Sequence, residues 1–289
     1  MKYFKIWIEL TKPRVTTLVL VTTLPGLYLG SERVPSISLI LWSLIGTFFM
    51  SSASFVFNQI IEKDLDAKME RTQNRPLPKG EISVQFAFLG GILLVFFSCL
   101  VFLTFVNWLA LACALSGLLF YIFIYTLWLK PKTDQNIVIG GAAGCVGPLI
   151  GYAASSESLP LPAWILFGMI FFWTPPHFWA LAIFVKEQYA NANFPMMPVI
   201  RGIEQTTKSI FSYTLLYSLA CIGFYFTTDQ ISWIYLSSTI LLCSYMIFLA
   251  WKLRQINAKE KAKQFFFFSI LHLFLINIFI LIDYTINVT

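Results

Sequence analysis

The sequence is dominated by apolar runs of about twenty residues, the length that an α-helix needs to cross a lipid bilayer. Its 289 residues are 58% hydrophobic and 12% charged, whereas soluble globular proteins carry about 25% charged residues. The runs are continuous and do not alternate with polar residues, which argues against a membrane β-barrel. We therefore predict an all-α polytopic membrane bundle that forms a single domain over residues 1–289. Nine spans are expected, at 15–30, 37–61, 84–106, 108–128, 136–154, 162–184, 209–227, 232–251 and 264–285.

Basic residues lie almost entirely on one side of these predicted spans. Of the 20 Lys and Arg residues, all except Arg33 fall in segments that face the same side. Because Lys and Arg are enriched in cytoplasmic loops, the pattern predicts a plasma (inner) membrane protein with a cytoplasmic N-terminus and an outer C-terminus. It also accounts for the net charge of +6 without nucleic acid as a partner. Acidic residues avoid the middle of every span, which argues against an ion-coupled transporter but leaves a carrier of neutral solutes open.

One polar stretch, residues 58–78, brings eight charged side chains into this apolar chain. If its beginning is helical, Asn58, Glu62 and Asp66 lie at i, i+4 and i+8 and therefore on one face of the helix. We call these three residues the acidic stripe. Amide and carboxylate oxygens are ligands for Mg²⁺, which often uses one or two carboxylates together with substrate phosphates. The stripe therefore predicts a magnesium site at one membrane face.

Two arginines and two lysines follow on the same membrane face. Arg71 and Arg75 come directly after the stripe and can bind phosphate oxygens through forked hydrogen bonds. Lys130 and Lys132 follow the fourth span, where they can neutralise phosphate or, more simply, anchor the helix end at the lipid headgroups. The stripe and its arginines also admit a simpler interpretation, as a charge-balanced loop between two helices. The helical spacing of the stripe favours the metal site.

A further candidate site lies near the end of the sixth span, where residues 173–179 read WTPPHFW. Pro175 and Pro176 remove two amide donors and predict a kink that frees backbone carbonyls beside a cavity. His177 follows directly and can ligate a metal or a haem iron, or can be a histidine that is satisfied within the bundle. His272 lies among apolar residues and is interpreted as structural.

Two other segments give weaker signals. Glu187, Gln188, Asn191 and Asn193 offer oxygen and nitrogen ligands on the same membrane face as the stripe, although alone they are typical of a loop. The aromatic run at 265–268 is expected to face lipid or to pack against the bundle rather than to form a cofactor site. Together, the polar groups indicate acid, metal and phosphate chemistry beside a hydrophobic cavity. A lipid diphosphate fits such a site.

Five stretches of the sequence read as motifs: TKPRV (11–15), the stretch from Asn58, YTLWLKPKTDQNIVIGGAAG (125–144), PPHFWALAIF (175–184) and PMMPVIRG (195–202). In these five stretches the chain resembles the UbiA superfamily of intramembrane prenyltransferases. The spacing of the acidic stripe is similar to that of the superfamily motif, with Glu62 where an Asp is usual. The QNIVIGGAAG and PPHFWALA text resembles more narrowly the branch that prenylates haem. The resemblance covers most of the chain up to about residue 202.

The resemblance implies a bundle of nine helices that uses Mg²⁺ to transfer a farnesyl group from farnesyl diphosphate to haem b, giving haem O. It implies that the acidic stripe binds the metal and forms the catalytic set with Arg71 and Arg75. The implied substrate-binding residues are Lys130, Lys132, His177, Glu187, Tyr189 and Arg201. It also implies contact with haem A synthase or the assembly of a terminal oxidase.

The second acidic motif of the superfamily departs from the expected text here. An Asp usually precedes the tyrosine that corresponds to Tyr189, whereas this chain has Gln188, and Glu187 one residue earlier is the candidate substitute. Two other functions stay open. One is the same chemistry on another aromatic acceptor, such as a quinone precursor. The other is a membrane transporter or haem assembly factor without catalysis.

Overall fold

The computed structural model describes residues 2–70, 72–191, 195–255 and 258–288, and the regular structure in these ranges is helical. Eight helices there are long and apolar enough to cross a membrane, which identifies an integral membrane protein and confirms the predicted fold class. The helices are α1 Lys2–Thr11, α2 Pro13–Leu29, α3 Ile37–Ile61, α4 Lys63–Asp66, α5 Val84–Phe105, α6 Trp108–Leu119 with a π-helix Phe120–Leu129, α7 Asn136–Gly140 with a 3-10 turn Gly141–Cys145, α8 Gly147–Ser156, α9 Leu161–Phe184, α10 Lys186–Asn191, α11 Met197–Ile200, α12 Gly202–Phe224 with a 3-10 turn Tyr225–Thr227, α13 Trp233–Leu253 and α14 Ala258–Val288.

Helix boundaries follow the predicted spans closely. The first predicted span corresponds to α2, whose 17 residues extend about 25 Å, slightly less than the hydrocarbon core of about 30 Å. The eight spanning segments are longer than α2, because α6 continues into its π-helix and α7 continues through the 3-10 turn into α8. α2 packs against α3, α8 and α14 as the ninth helical segment of the expected bundle. α12 and α14 begin several residues before their predicted spans, because polar residues continue each helix beyond its apolar part.

Glycines bring α2 and α8 into close contact. A Cβ atom on Gly26 would lie 2.2 Å from the carbonyl oxygen of Pro148, and one on Gly151 would lie 2.1 Å from the carbonyl oxygen of Thr23. Small residues allow two helix backbones to approach closely in a membrane, where packing replaces the hydrophobic effect as the main attraction. This contact holds α2 beside the central cavity, to which it contributes Leu18.

The C-terminal helices close the bundle. α9 packs against both α12 and α14, and α13 packs against the same two helices. α14 also contacts α2, so the last helix returns to the N-terminal half of the chain. α5 packs mainly on α3 and presents Phe88, Phe96 and Leu103 outward, as expected for a lipid-facing helix. The cavity described below lies inside this arrangement.

Asp283, the acidic residue near the far end of the last span, has a structural role. Its side chain is fully buried and accepts hydrogen bonds from the backbone N–H groups of Ser232 at 2.8 Å and Tyr235 at 3.0 Å. These donors belong to the first turn of α13 or precede it, where helix N–H groups lack partners within the helix. Asp283 therefore stabilises the start of α13.

Candidate active site

A cavity of about 430 Å³ lies among α2, α3, α6 with its π-helix, α8 and α9. Its polar end is lined by Lys12, Asn58, Glu62, Asp66, Arg75 and Lys130. Its remaining wall is aromatic and aliphatic, and includes Leu18, Met50, Tyr121, Ile150, Ile170, Trp173, His177 and Tyr189. A cavity with a charged end and an apolar wall suits an amphiphile with an anionic head.

The acidic stripe lies on one face, although α3 ends within it. α3 stops at Ile61, Glu62 caps it, and α4 begins at the next residue. Backbone hydrogen bonds from Glu62 N to Asn58 O at 2.9 Å and from Asp66 N to Glu62 O at 2.7 Å carry the i to i−4 repeat across this break. The three side chains therefore point into the same cavity, and the exposed fractions of the residues are only 2%, 5% and 4%. Asp64, which lies off the stripe, is exposed.

The π-helix fixes the orientation of the first stripe residue. Asn58 donates through Nδ2 to the hydroxyl of Thr126 at 3.2 Å, and Thr126 donates its own hydroxyl to the carbonyl oxygen of Tyr121 at 2.8 Å. Because the hydroxyl proton is used on a carbonyl, the amide must supply the N–H, which leaves Oδ1 of Asn58 as an acceptor. π-helical segments are rare and frequent at functional sites. Here the segment and Lys130, which caps its end, place Tyr121, Tyr125 and Lys130 in the cavity wall.

Two basic side chains neutralise the two carboxylates. Arg75 lies 2.5 Å from a carboxylate oxygen of Asp66, and Lys130 lies 2.5 Å from one of Glu62. Buried charges need such partners, because removal from water disfavours an isolated ion strongly. Lys130 thus meets the stripe from a segment 68 residues away in the chain, a pairing that the sequence did not predict. Arg71 lies outside the residues that the structure describes, as does Asn193.

Lys12 is a site residue that the sequence reasoning missed. Its backbone has φ 46° and ψ 58°, a left-handed conformation that is unfavourable for a residue with a side chain, and Pro13 follows it. Its Nζ lies 5.1 Å from the ring centre of Phe55 and lines the charged end of the cavity. Burial, together with the nearby cations Arg75 and Lys130, lowers the pKa of Lys12 from 10.5 to about 7, although Glu62 acts in the opposite direction. In the sequence it belonged to the basic N-terminal segment and to the TKPRV stretch (11–15), which carries part of the family resemblance, but no role was assigned to it.

His177 lies in the cavity wall between two aromatic rings. The ring centre of Trp173 is 4.2 Å from that of the imidazole with an interplanar angle of 16°, and that of Phe266 is 4.5 Å away at 23°. Nδ1 lies 2.7 Å from the hydroxyl oxygen of Ser269. We call Trp173, Phe266 and Ser269 the histidine clamp. The two prolines before His177 do not end α9, which continues as one helix from Leu161 to Phe184.

Two members of the clamp come from α14, in a region that the sequence reasoning treated as packing surface. The aromatic run divides by position: Phe265 is buried, Phe266 stacks on His177, and Phe267 is exposed. The expectation of lipid-facing and packing residues holds for this run, but Phe266 also supports a candidate site residue. The helical period would have placed Phe266 and Ser269 on one face, yet nothing in the sequence links that face to α9.

Three predicted binding residues do not reach the cavity. Arg201 forms an exposed ion pair with Asp134, which raises the pKa of the guanidinium, and its side chain is 46% exposed. Lys132 and Glu187 are both exposed and do not belong to the cavity wall. Each of the three lies in a short segment between longer helices, where a different side chain takes the inward position. In the segment of Glu187, for example, Tyr189 is the buried residue.

The donor set of the acidic stripe fits Mg²⁺. Two carboxylates and one amide oxygen are hard ligands of the kind this ion prefers, and it commonly completes its shell with water or phosphate oxygens. Within the described ranges there is no group of three or more His, Cys, Asp or Glu side chains placed to hold a metal ion. A cation here would therefore depend on the amide of Asn58 and on oxygens brought by a substrate.

A family comparison decides the broader identity of this site. The model of the UbiA prenyltransferase family matches residues 19–271. The chain belongs to the UbiA prenyltransferase family. The family and the class of enzyme predicted from the motifs are thereby confirmed.

Several curated relatives of this UbiA protein carry the name protoheme IX farnesyltransferase. A protoheme IX farnesyltransferase of Leptospira interrogans is 58% identical, and the match covers 98% of each chain. The protoheme IX farnesyltransferase of Synechocystis sp. is 40% identical, and the match covers 96% of this chain and 89% of the relative. The similarity therefore extends through both ends of the cavity and into α14.

Solved UbiA structures share the fold. Digeranylgeranylglyceryl phosphate synthase superimposes with a TM-score of 0.78 at 19% identity, over 100% of this chain and 99% of its own. A UbiA homolog from Archaeoglobus fulgidus bound to GPP and Mg²⁺ gives a TM-score of 0.68 at 16% identity, over 97% and 99% of the two chains. At these identities the likeness establishes the fold alone.

Proposed function

We propose that this chain transfers the farnesyl group of farnesyl diphosphate to a vinyl group of haem b, with addition of water, and so produces haem O. The similarity along nearly the whole chain to proteins named protoheme IX farnesyltransferase supports this, at 58% identity in one case. The observation that carries the proposal is one cavity with the acidic stripe at one end and a clamped histidine in its wall. The first suits a prenyl diphosphate and the second suits an iron porphyrin.

The acidic stripe is the proposed magnesium site. Asn58, Glu62 and Asp66 would hold the ion together with oxygens of the diphosphate. When bound, Mg²⁺ supplies Lewis-acid stabilisation of the negative charge that develops on the departing diphosphate. The related homolog from Archaeoglobus fulgidus, solved with GPP and Mg²⁺, supports metal-dependent binding of prenyl diphosphates in this family.

The basic residues are placed to move from carboxylates to phosphate. Arg75 and Lys130 each lie 2.5 Å from one carboxylate of the stripe. A divalent cation on the same carboxylates would weaken their attraction for these side chains, which can then donate charge-assisted hydrogen bonds to phosphate oxygens. Lys12 adds a third positive group, and an anion in the cavity favours its charged form. Arg71 stays a candidate for the same role on the basis of its position in the motif.

The aromatic rings near the stripe suit the cation formed on farnesyl. When the allylic C–O bond breaks, the electron pair leaves with diphosphate and the farnesyl chain carries a delocalised positive charge. Tyr121 stacks on Tyr125 with ring centres 5.4 Å apart, and Phe55 meets Tyr121 edge-on at 5.9 Å. The faces of such rings attract cations by about 0.5–2 kcal/mol. The apolar wall beyond them limits access of water, which would otherwise capture the cation.

The acceptor step then requires a vinyl group next to this cation. The π electrons of the vinyl group form the new carbon–carbon bond, which leaves a second cation beside the porphyrin ring. Water adds to that carbon and loses a proton, giving a hydroxyethylfarnesyl side chain. His177 is the proposed ligand of the haem iron, because it lines the cavity and its ring is held on both faces.

The membrane setting is part of the proposal. The distribution of Lys and Arg, with only Arg33 on the other side, supports a cytoplasmic N-terminus and an outer C-terminus in the plasma (inner) membrane. This orientation places the stripe near the cytoplasmic face, where water-soluble farnesyl diphosphate and Mg²⁺ arrive. The farnesyl chain of haem O is apolar and retains the product in the membrane, so contact with haem A synthase or terminal oxidase assembly would suit its transfer.

Mass analysis of the product tests the proposed reaction. The purified protein in lipid nanodiscs, supplied with haem b, farnesyl diphosphate and Mg²⁺, should yield a pigment heavier by one farnesyl group and one hydroxyl. Chelation of the metal should stop its formation. Unchanged haem b beside rapid release of diphosphate would indicate another acceptor, and no release at all would contradict a prenyltransferase role for this cavity.

A further inference from the structure

Ser269 on α14 holds two aromatic side chains of α9 at once. Its hydroxyl oxygen lies 2.7 Å from Nδ1 of His177 and 2.7 Å from the carbonyl oxygen of Phe266. Its own carbonyl oxygen accepts a hydrogen bond from Nε1 of Trp173 at 2.9 Å. The residue is fully buried. One turn of α14 thus sets the position of both Trp173 and His177.

These contacts determine which imidazole nitrogen carries the proton. A serine hydroxyl has a single proton to donate, and a carbonyl oxygen can only accept. Both 2.7 Å contacts are hydrogen bonds only if Ser269 donates to Phe266 and accepts from Nδ1–H of His177. The opposite arrangement would leave two oxygen atoms 2.7 Å apart without a proton between them. Nε2 of His177 therefore carries the free lone pair.

The second histidine shows what an imidazole used only for packing looks like in this fold. His272, one turn further along α14, has both ring nitrogens engaged. Nδ1 lies 3.1 Å from the hydroxyl of Tyr217, and Nε2 lies 3.8 Å from the sulfur of Cys243. His272 is fully buried and does not line the cavity, whereas His177 does. Of these two, only His177 combines an Nδ1 anchored on a neighbouring oxygen with a position in the cavity wall.

We infer that Ser269 is a positioning residue that fixes His177 as the tautomer with Nε2 available to the haem iron. The inference rests on the proposed function, in which His177 binds haem. A histidine that ligates a metal commonly donates its second N–H to an oxygen, which sets the ring orientation and raises the basicity of the ligating nitrogen. The histidine clamp supplies all three restraints: an oxygen for Nδ1–H and a ring on each face.

Haem titration of the full-length protein in nanodiscs tests this inference, with the absorption spectrum as the readout. Ser269→Ala should weaken haem binding about tenfold, because loss of such an outer partner typically lowers metal affinity 10–100-fold. It should leave the affinity for farnesyl diphosphate unchanged. Ser269→Thr, which keeps the hydroxyl, should restore the haem affinity. Ser218→Ala is the matched control, since this buried serine of α12 donates to the carbonyl of Thr214 at 2.8 Å and does not belong to the cavity wall.

The iron–histidine stretching frequency of the ferrous complex gives a second readout that does not depend on the threonine variant. Ser269→Ala should lower it, because Nδ1 loses its hydrogen-bond acceptor and Nε2 becomes less basic. Wild-type frequency and affinity in Ser269→Ala, with both lost in His177→Ala, would overturn the role of Ser269 alone. Unaltered haem binding in His177→Ala would overturn the ligand role and the inference together. In either case, haem O formation by the wild type still tests the reaction separately.

Discussion

The two ends of the cavity hold their functional groups in opposite ways. At the charged end, side chains meet as ion pairs, Arg75 with Asp66 from the same segment and Lys130 with Glu62 from a distant one. At the histidine end, one imidazole is held by stacked rings and a hydroxyl. Ion pairs can exchange partners when a metal and an anion arrive, whereas stacked rings within a packed core keep one geometry. We therefore expect substitutions at the two ends to separate the binding of farnesyl diphosphate from that of haem.

The largest effect is expected from Asp66→Asn. The amide keeps the size of the side chain but loses the charge that would hold Mg²⁺ and Arg75. We expect Mg²⁺-dependent release of diphosphate to fall on the order of a hundredfold or more, as when an electrostatic contact to the transition state is removed. Haem affinity should stay at the wild-type value. Asp64→Asn is the matched control, because Asp64 is exposed and off the stripe; equal losses in the two variants would contradict the assignment.

His177→Ala should show the reverse pattern. Removal of the imidazole should weaken haem binding roughly tenfold or more, because no other described histidine lines the cavity. The dissociation constant of farnesyl diphosphate, measured by calorimetry in the presence of Mg²⁺, should not change. His272→Ala serves as the comparison, since that side chain packs against Tyr217 outside the cavity. A parallel loss of both substrates in His177→Ala would break the separation between the two ends.

Lys12 should make the charged end, and not the histidine end, sensitive to pH near neutrality. Its pKa is lowered to about 7, so below pH 7 the amine is already charged and contributes fully to anion binding. Above pH 7 the free protein must take up a proton to bind, and affinity for farnesyl diphosphate should fall by up to about tenfold per pH unit. Lys12→Arg should abolish this dependence, because arginine stays charged. The substrate ionises identically with both proteins, so the difference between the two pH profiles reports on Lys12 alone. An identical pH profile in both proteins would exclude Lys12 as the source of the pH dependence.

The smallest effect is expected from Arg201→Ala. The motif resemblance places this residue in substrate binding, but the structure pairs it with Asp134 at an exposed position outside the cavity. Turnover and both substrate affinities should stay within about twofold of wild type, as for most exposed ion pairs. Steady-state kinetics at several concentrations of farnesyl diphosphate would check this. A raised KM for farnesyl diphosphate alone would show that the segment moves to the charged end during binding.

The sequence predicted what depends on local periodicity. Apolar runs predicted the spans, because a helix that crosses the hydrocarbon core must be apolar over about twenty consecutive residues and must pair its backbone groups internally. The acidic stripe was found for the same reason, since i and i+4 residues share a face and its three members are close in the chain. The pairing of each carboxylate with a specific cation was not predictable, because Glu62 and Lys130 meet only after the helices pack.

The residues that sequence reasoning missed all depend on tertiary contacts or on backbone strain. Lys12 becomes a site residue because the turn between α1 and α2 takes a left-handed conformation and aims the side chain inward. Phe266 and Ser269 become relevant only when α14 packs on α9. Arg201 was assigned to substrate binding from its motif. In the structure it forms an ion pair with Asp134, which lies 67 residues away in the chain. The motif identified the family, whereas the fold decides which residues share the cavity.

The central claim is that one cavity holds both substrates, the diphosphate at the acidic stripe and the haem at His177. A structure of the protein with Mg²⁺, a non-cleavable farnesyl diphosphate analogue and haem b tests it most directly. We expect the metal at Asn58, Glu62 and Asp66, the farnesyl chain along the apolar wall, and the haem iron at Nε2 of His177. Haem bound elsewhere on the protein, with the cavity filled by the farnesyl analogue alone, would contradict the account.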